Sequence, residues 1–205
     1  MDGVQLVSAP AAVHQRKKWA CSLCKVRKNR PFLFFVNKIS RRIFMKIETP
    51  YRAERTYVQK YPGHAPQAVF PLLCPVREAE WLPDWDPQVV YTRSGVAEPG
   101  CTFLTLQDGR QSIWQIIHHD PENLEVKMVK ITPDVTACLL QIVVRPDGKQ
   151  GSEAQVTYSH TAIGPEGKKL VDEFTEAFYQ QIMTRWENFL STHLEKENLS
   201  NIDLV

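Results

Sequence analysis

The 205-residue chain has no apolar run approaching the roughly 18 residues that cross a bilayer, so stable membrane insertion is not expected. It has no GxSxG elbow and no glycine-rich phosphate loop, which removes two common routes to hydrolase and nucleotide chemistry. Cysteine is scarce and odd in number, five in the whole chain, and none has a histidine partner visible in sequence. That argues against a disulfide framework and a thiol nucleophile, and for free thiols in a reducing, cytoplasmic setting. Cys21 and Cys24 have the spacing of half a zinc site, but His14 stands alone and no second pair completes it. His118, His119 and Asp120 are adjacent. Neighbouring strand residues point to opposite faces, so the two rings should diverge, and neither a metal nor another cofactor is expected.

What is present is an ordinary globular composition, 43% hydrophobic and 23% charged, long enough for one good core. The net charge of +2 is unevenly spread. Residues 1–44 hold ten Lys/Arg and one acid, hence +9; the remaining fifteen bases and twenty-two acids give residues 45–205 a charge of −7. The folded part therefore lacks the positive excess that nucleic-acid binding requires. Residues 1–44 read as a disordered basic extension. Their apolar run PFLFFV is too short for an anchor and is followed by Asn37, Lys38 and Arg41 rather than small residues, and Met45 is the alternative start.

From Met45 onward the punctuation is regular. Tyr51–Tyr61 reads as a strand ended by Pro62-Gly63, and Pro66 and Pro75 each open a short helix. Six further strands follow, over 88–93, 101–106, 110–118, 124–131, 136–145 and 153–163, with Asp108-Gly109 offering a tight hairpin. One long helix is expected over 165–194, because Leu170, Phe174, Phe178, Ile182 and Trp186 recur every four residues, with Val171 and Phe189 broadening the stripe. The expected fold is α+β: a seven-stranded antiparallel curved sheet wrapped around a long C-terminal helix, with two short helices after the first strand. The domain should occupy 45–197, followed by a tail over 198–205.

Within that frame the stretch CPVREAEWLPDWD, residues 74–86, resembles an acid–base cluster only at first sight. Glu78 and Glu80 are two residues apart on a short helix and cannot face each other, whereas Arg77 and Trp81 share a face. Asp84 and Asp86 fall beyond Pro83, and Trp81 and Trp85 read as anchors seating the short helices at the pocket entrance.

This organisation resembles the START-like superfamily, also called SRPBCC or helix-grip, over nearly all of residues 45–196. The stretches that carry the likeness are VFPLLCPVREAEWLPDW (69–85), SHTAIGPEG (159–167) and the final helix. It is most similar to small bacterial polyketide cyclase or dehydrase relatives. The resemblance implies a hydrophobic pocket for a lipid, polyketide or aromatic compound. No Rieske cysteine–histidine pairs or mononuclear-iron ligands accompany it, which sets the oxygenase branch aside.

Strand alternation puts Trp114, Ile116 and His118 on one face, Leu124, Val126 and Met128 on another, and Val156, Tyr158, His160 and Ala162 on a third. If these faces meet the long helix, the pocket wall comprises Trp81, Trp114, Ile116, His118, Met128, Val156, Tyr158 and His160 with Phe174, Phe178 and Ile182. The candidates for acid–base chemistry are His118, Tyr158 and His160. Three readings stay open: non-catalytic binding of a small hydrophobic molecule, a cyclase or dehydratase acting by substrate orientation with His or Tyr assistance, and an interaction module of co-chaperone type.

Overall fold

The computed structural model describes residues 51–202, with side chains as far as residue 198. The basic segment 1–44 with Cys21, Cys24 and PFLFFV, the alternative start at Met45, and residues 203–205 lie outside the described residues.

Seven antiparallel strands form one sheet: β1 (Arg52–Tyr61), β2 (Gln88–Tyr91), β3 (Thr102–Gln107), β4 (Arg110–Asp120), β5 (Glu125–Thr132), β6 (Thr136–Pro146) and β7 (Ser152–Ala162). The strands from β2 to β7 are sequential neighbours, and β1 joins beyond β7, giving the order β1-β7-β6-β5-β4-β3-β2. Short turns dictate the meander. Asp108 and Gly109 both have positive φ, as a two-residue hairpin with matching twist requires. Asp120 accepts hydrogen bonds from the backbone N–H groups of Glu122 and Asn123 to close the next turn.

Between β1 and β2 lie α1 (Pro66–Val69), a 3-10 turn over Phe70–Leu73 and a second over Arg77–Glu80. The prolines at 66 and 71 start the first two, where a missing N–H costs nothing. Each tryptophan of the following segment is tied back to a carbonyl: Trp81 Nε1 donates to Leu72 at 2.9 Å and Trp85 Nε1 to Pro75 at 2.7 Å. Glu78 is buried and Glu80 is at the surface, so the two carboxylates diverge as their spacing demands. Arg77 pairs with Glu80 at 2.9 Å, not with Trp81, whose ring is turned into the core against Trp186.

The expected single C-terminal helix is two: α2 (Pro165–Glu173) and α3 (Glu176–Ile202). Phe174 leaves helical geometry at ψ 58°, and the Thr175 hydroxyl accepts the Phe178 N–H, capping a new helix. The last helix also runs to Ile202, past the end at 194 that the apolar stripe suggests. Its fully sequestered ridge is Tyr179, Met183, Leu190 and Leu194. At about 1.5–3 kcal/mol for each large apolar side chain removed from water, this ridge holds α3 in the curve of the sheet. Gln59, itself buried in β1, donates to the Met183 carbonyl and accepts from the Tyr61 hydroxyl, satisfying a polar group inside the grip.

Candidate functional site

The sheet register builds the site's floor one residue per strand. Phe103 pairs with Trp114, Trp114 with Lys130, Lys130 with Cys138, and Cys138 with His160, a single row across the inner faces of β3 to β7. Between this row and the helices lies a cavity of about 910 Å³. Trp114, Lys130, Tyr158 and His160 line it from the sheet, and Leu170, Phe174, Phe178, Ile182 and Trp186 line it from α2 and α3. The four-residue stripe seen in the sequence is thus the cavity wall, and the ridge beside it, Tyr179 and Met183, is where the wall meets the core.

The rings interlock. Phe103 stacks on Trp114 at 5.5 Å, and Trp85 meets Trp114 edge-on at 6.0 Å. Trp114 Nε1 donates to the Thr105 hydroxyl at 2.9 Å, which fixes the indole. On the other side His160 stacks on Tyr158 at 5.9 Å and meets the edge of Phe174 at 4.6 Å. Such edge-to-face and offset contacts hold rings in place beyond what burial alone gives.

Several expected residues stand elsewhere. Trp81, Ile116, Met128 and Val156 are core residues that do not line the cavity; Ile116 and Met128 sit in the next row of the sheet, under packed side chains. His118 is on the outer face. A β-bulge between Ile116 and His118 inserts one residue into β4, so alternation reverses and His119 pairs with buried Val126 and stacks on Phe70 at 5.5 Å. The two histidines do diverge, with the opposite one inside. Trp114, Tyr158, His160, Phe174, Phe178 and Ile182 are brought together as the sequence suggests.

The sequence reading passed over Lys130. The alternation that turns Val126 and Met128 inward continues to position 130, and a lysine there was the available signal. Its Nζ lies 4.9 Å from the Trp114 ring centre, and burial holds its pKa below the ordinary lysine value. No salt bridge engages Lys130 among the described residues. Burial, then the Lys130 charge, push His160 down to about 4, so its imidazole is neutral at physiological pH. Burial pushes the Cys138 thiol up to about 12 and carries the Tyr158 phenol well above 10. Near enough to Tyr158 to act on its phenol, the Glu78 carboxyl is itself raised by burial alone to about 8.

The mouth is charged. The β3–β4 hairpin brings Gln107, Asp108 and Arg110 to one side, and α2 brings Glu166, Lys169 and Glu173 to the other. Glu166 joins them, accepting from Lys169 at 2.8 Å and facing Arg110 at 3.5 Å. A second hollow of about 440 Å³ shares Trp85, Gln107, Asp108, Ile182 and Trp186 with the first, so the two adjoin along these residues. Away from the cavity, Glu80, His193 and Glu197 converge, and Arg77 is salt-bridged to both carboxylates, making an ion-pair cluster.

No protein-family model matches the sequence, and no curated protein matches it. Solved structures do share its architecture. A point mutant of norcoclaurine synthase from Thalictrum flavum, in complex with a transition-state analogue, superposes with a TM-score of 0.55 at 14% identity, over 74% of this chain and 99% of that one. The same plant's enzyme in complex with dopamine and hydroxybenzaldehyde gives 0.53 at 14% identity, over 72% and 88%. The major latex-like protein 151 of Panax ginseng gives 0.52 at 9% identity, over 69% and 97%. The chain has the helix-grip fold. Its cavity opens between the β3–β4 hairpin and α2. No helix among the described residues is long and apolar enough to cross a membrane.

Proposed function

We propose that the chain binds a small hydrophobic molecule in the cavity between the sheet and its C-terminal helices, without converting it. The observation that carries this reading is the cavity itself: about 910 Å³, walled by aromatic and aliphatic side chains, with a few polar atoms at the floor and a charged mouth. That combination of apolar lining and sparse, placed polar groups is how small-molecule sites are built. The complex of norcoclaurine synthase with dopamine and hydroxybenzaldehyde supports the size class of ligand that this fold accommodates.

The protonation states favour binding over acid–base catalysis. Tyr158 and His160 stand side by side on the floor, yet the phenol holds its proton far above neutral pH and the imidazole takes one only near pH 4. General acid–base groups are most effective when their pKa lies near the working pH, and neither does. The concave face is filled by α3, whose Tyr179 and Met183 are buried against the sheet. What is left is a volume for a small molecule rather than an open trough for a peptide, which weighs against the co-chaperone reading. Native mass spectrometry of the purified full chain, before and after denaturation, tests the proposal, together with titration by the uncharged apolar dye N-phenyl-1-naphthylamine. A co-purifying small molecule released on denaturation, or saturable one-to-one dye binding lost in Ile182→Asp, is the expected result. Neither being seen would refute it.

A further inference from the structure

The floor of the cavity holds hydrogen-bond donors without acceptors. Among the described residues Lys130 has no carboxylate in an ion pair and none among the charges acting on it, its one charge neighbour being the Cys138 thiol. His160 is 8% exposed, and its Nδ1 has no hydrogen-bond partner. Its Nε2 lies 3.7 Å from Cys138 Sγ. Sulfur is a weak acceptor, so the better arrangement has the S–H donating to the Nε2 lone pair, which leaves the ring proton on Nδ1. Lys130 and His160 belong to one cross-strand row, separated by Cys138 alone, and both face the cavity. The cations at the mouth, by contrast, are already committed: Arg110 and Lys169 both engage Glu166.

We propose that the ligand is an apolar molecule bearing one carboxylate, inserted acid-first so that Lys130 Nζ binds its oxygens beside the neutral His160 ring. A half-buried cation on an apolar wall with no acid partner is costly, and a carboxylate supplies what it lacks. The floor offers a single positive charge, so a doubly charged phosphate would be left half unpaired. Asp108 and Glu173 at the mouth repel a second anionic group there, which leaves the acid's body to the aromatic wall. This inference rests on the cavity being a binding site and adds the chemical class of its occupant.

A matched set of fluorescent probes separates the two ideas: pyrene-1-butyrate, its methyl ester and pyrene-1-butanol, titrated into the full chain at neutral pH. Charge-assisted hydrogen bonds in a desolvated site should favour the acid over the ester by about 10- to 100-fold. Lys130→Met, close in length and uncharged, should erase that preference, the acid-to-ester ratio being compared within each protein. Lys130→Gln serves the same purpose if the methionine variant does not fold, and the wild-type ratio decides alone if neither does. Tight binding of ester and alcohol without preference for the acid would overturn this inference and leave the binding function standing. A preference that survives removal of Lys130 would also overturn it. If none of the three probes binds, the cavity is not a ligand site and both readings fall.

Discussion

Glu78 gives a test of the buried electrostatics that needs no ligand. Its side chain is 3% exposed, and burial raises its carboxyl from 4.5 to about 8. A folded-state pKa above the unfolded one means the native chain holds this proton more tightly. Stability is therefore unaffected below about pH 4.5 and falls as pH rises toward 8. At 1.36 kcal/mol per pH unit, the loss between pH 5 and pH 8.5 is on the order of 4 kcal/mol. That is a large fraction of the roughly 5–15 kcal/mol typical of a domain. Glu78→Gln keeps the shape and removes the titration. Urea unfolding of both proteins across this range, followed by tryptophan fluorescence, should show the variant gaining on the wild type by about 4 kcal/mol with unchanged m-values. Curves that run parallel from pH 5 to pH 8.5 would refute the argument, because they would mean the carboxyl meets water or a partner in the folded chain.

Three further outcomes follow from the same structure. His160 has the opposite sign: its pKa falls from 6.5 to about 4 on folding, so stability present above pH 6.5 is lost as pH falls toward 4, by roughly 3 kcal/mol, and His160→Phe should flatten that acid limb in thermal melts. Gly167→Ala would place a Cβ 1.9 Å from the Val135 carbonyl oxygen and 2.9 Å from its carbon, both backbone, so a loss of about 3 kcal/mol in denaturant unfolding is expected. Trp85→Ala removes a half-buried ring that hydrogen-bonds the Pro75 carbonyl and edges against Phe103 and Trp114; it should cost about 2 kcal/mol and widen the boundary the two hollows share, read as weaker binding of a pyrene probe in a chain that still melts cooperatively.

The succession of elements and the meander of β2 to β7 were legible because turns such as Asp108-Gly109 and the proline-punctuated segment after β1 announce themselves locally, whereas the pairing of β1 with β7 joins residues about a hundred positions apart and left no local signal. The cavity wall was legible too, since Leu170 to Trp186 repeat at helical spacing and all five residues face the same space. What escaped depends on single residues that interrupt a period. One inserted position at the Ile116–His118 bulge exchanged His118 for His119 on the inner face. Phe174 ended one helix and the hydroxyl of Thr175 capped the next, inside an unbroken apolar stripe. Lys130 escaped for a different reason: a charged residue reads as solvent-facing by composition, and only the register with Trp114 and Cys138 places it on the floor.

The break at Phe174–Thr175 has a consequence for how such a molecule can be re-sized. α3 is seated by its own ridge and α2 by Gly167 against the Val135 backbone, so the two rods have separate footings on the sheet, bridged at the joint by buried Phe174 through its contacts with His160 and Tyr179. Residues added or removed there would shift Leu170, Glu166 and Lys169 over the opening while Tyr179 and Met183 kept their places against the sheet. The joint is thus where the width of the opening is set, with Phe174 tying that width to the cavity wall.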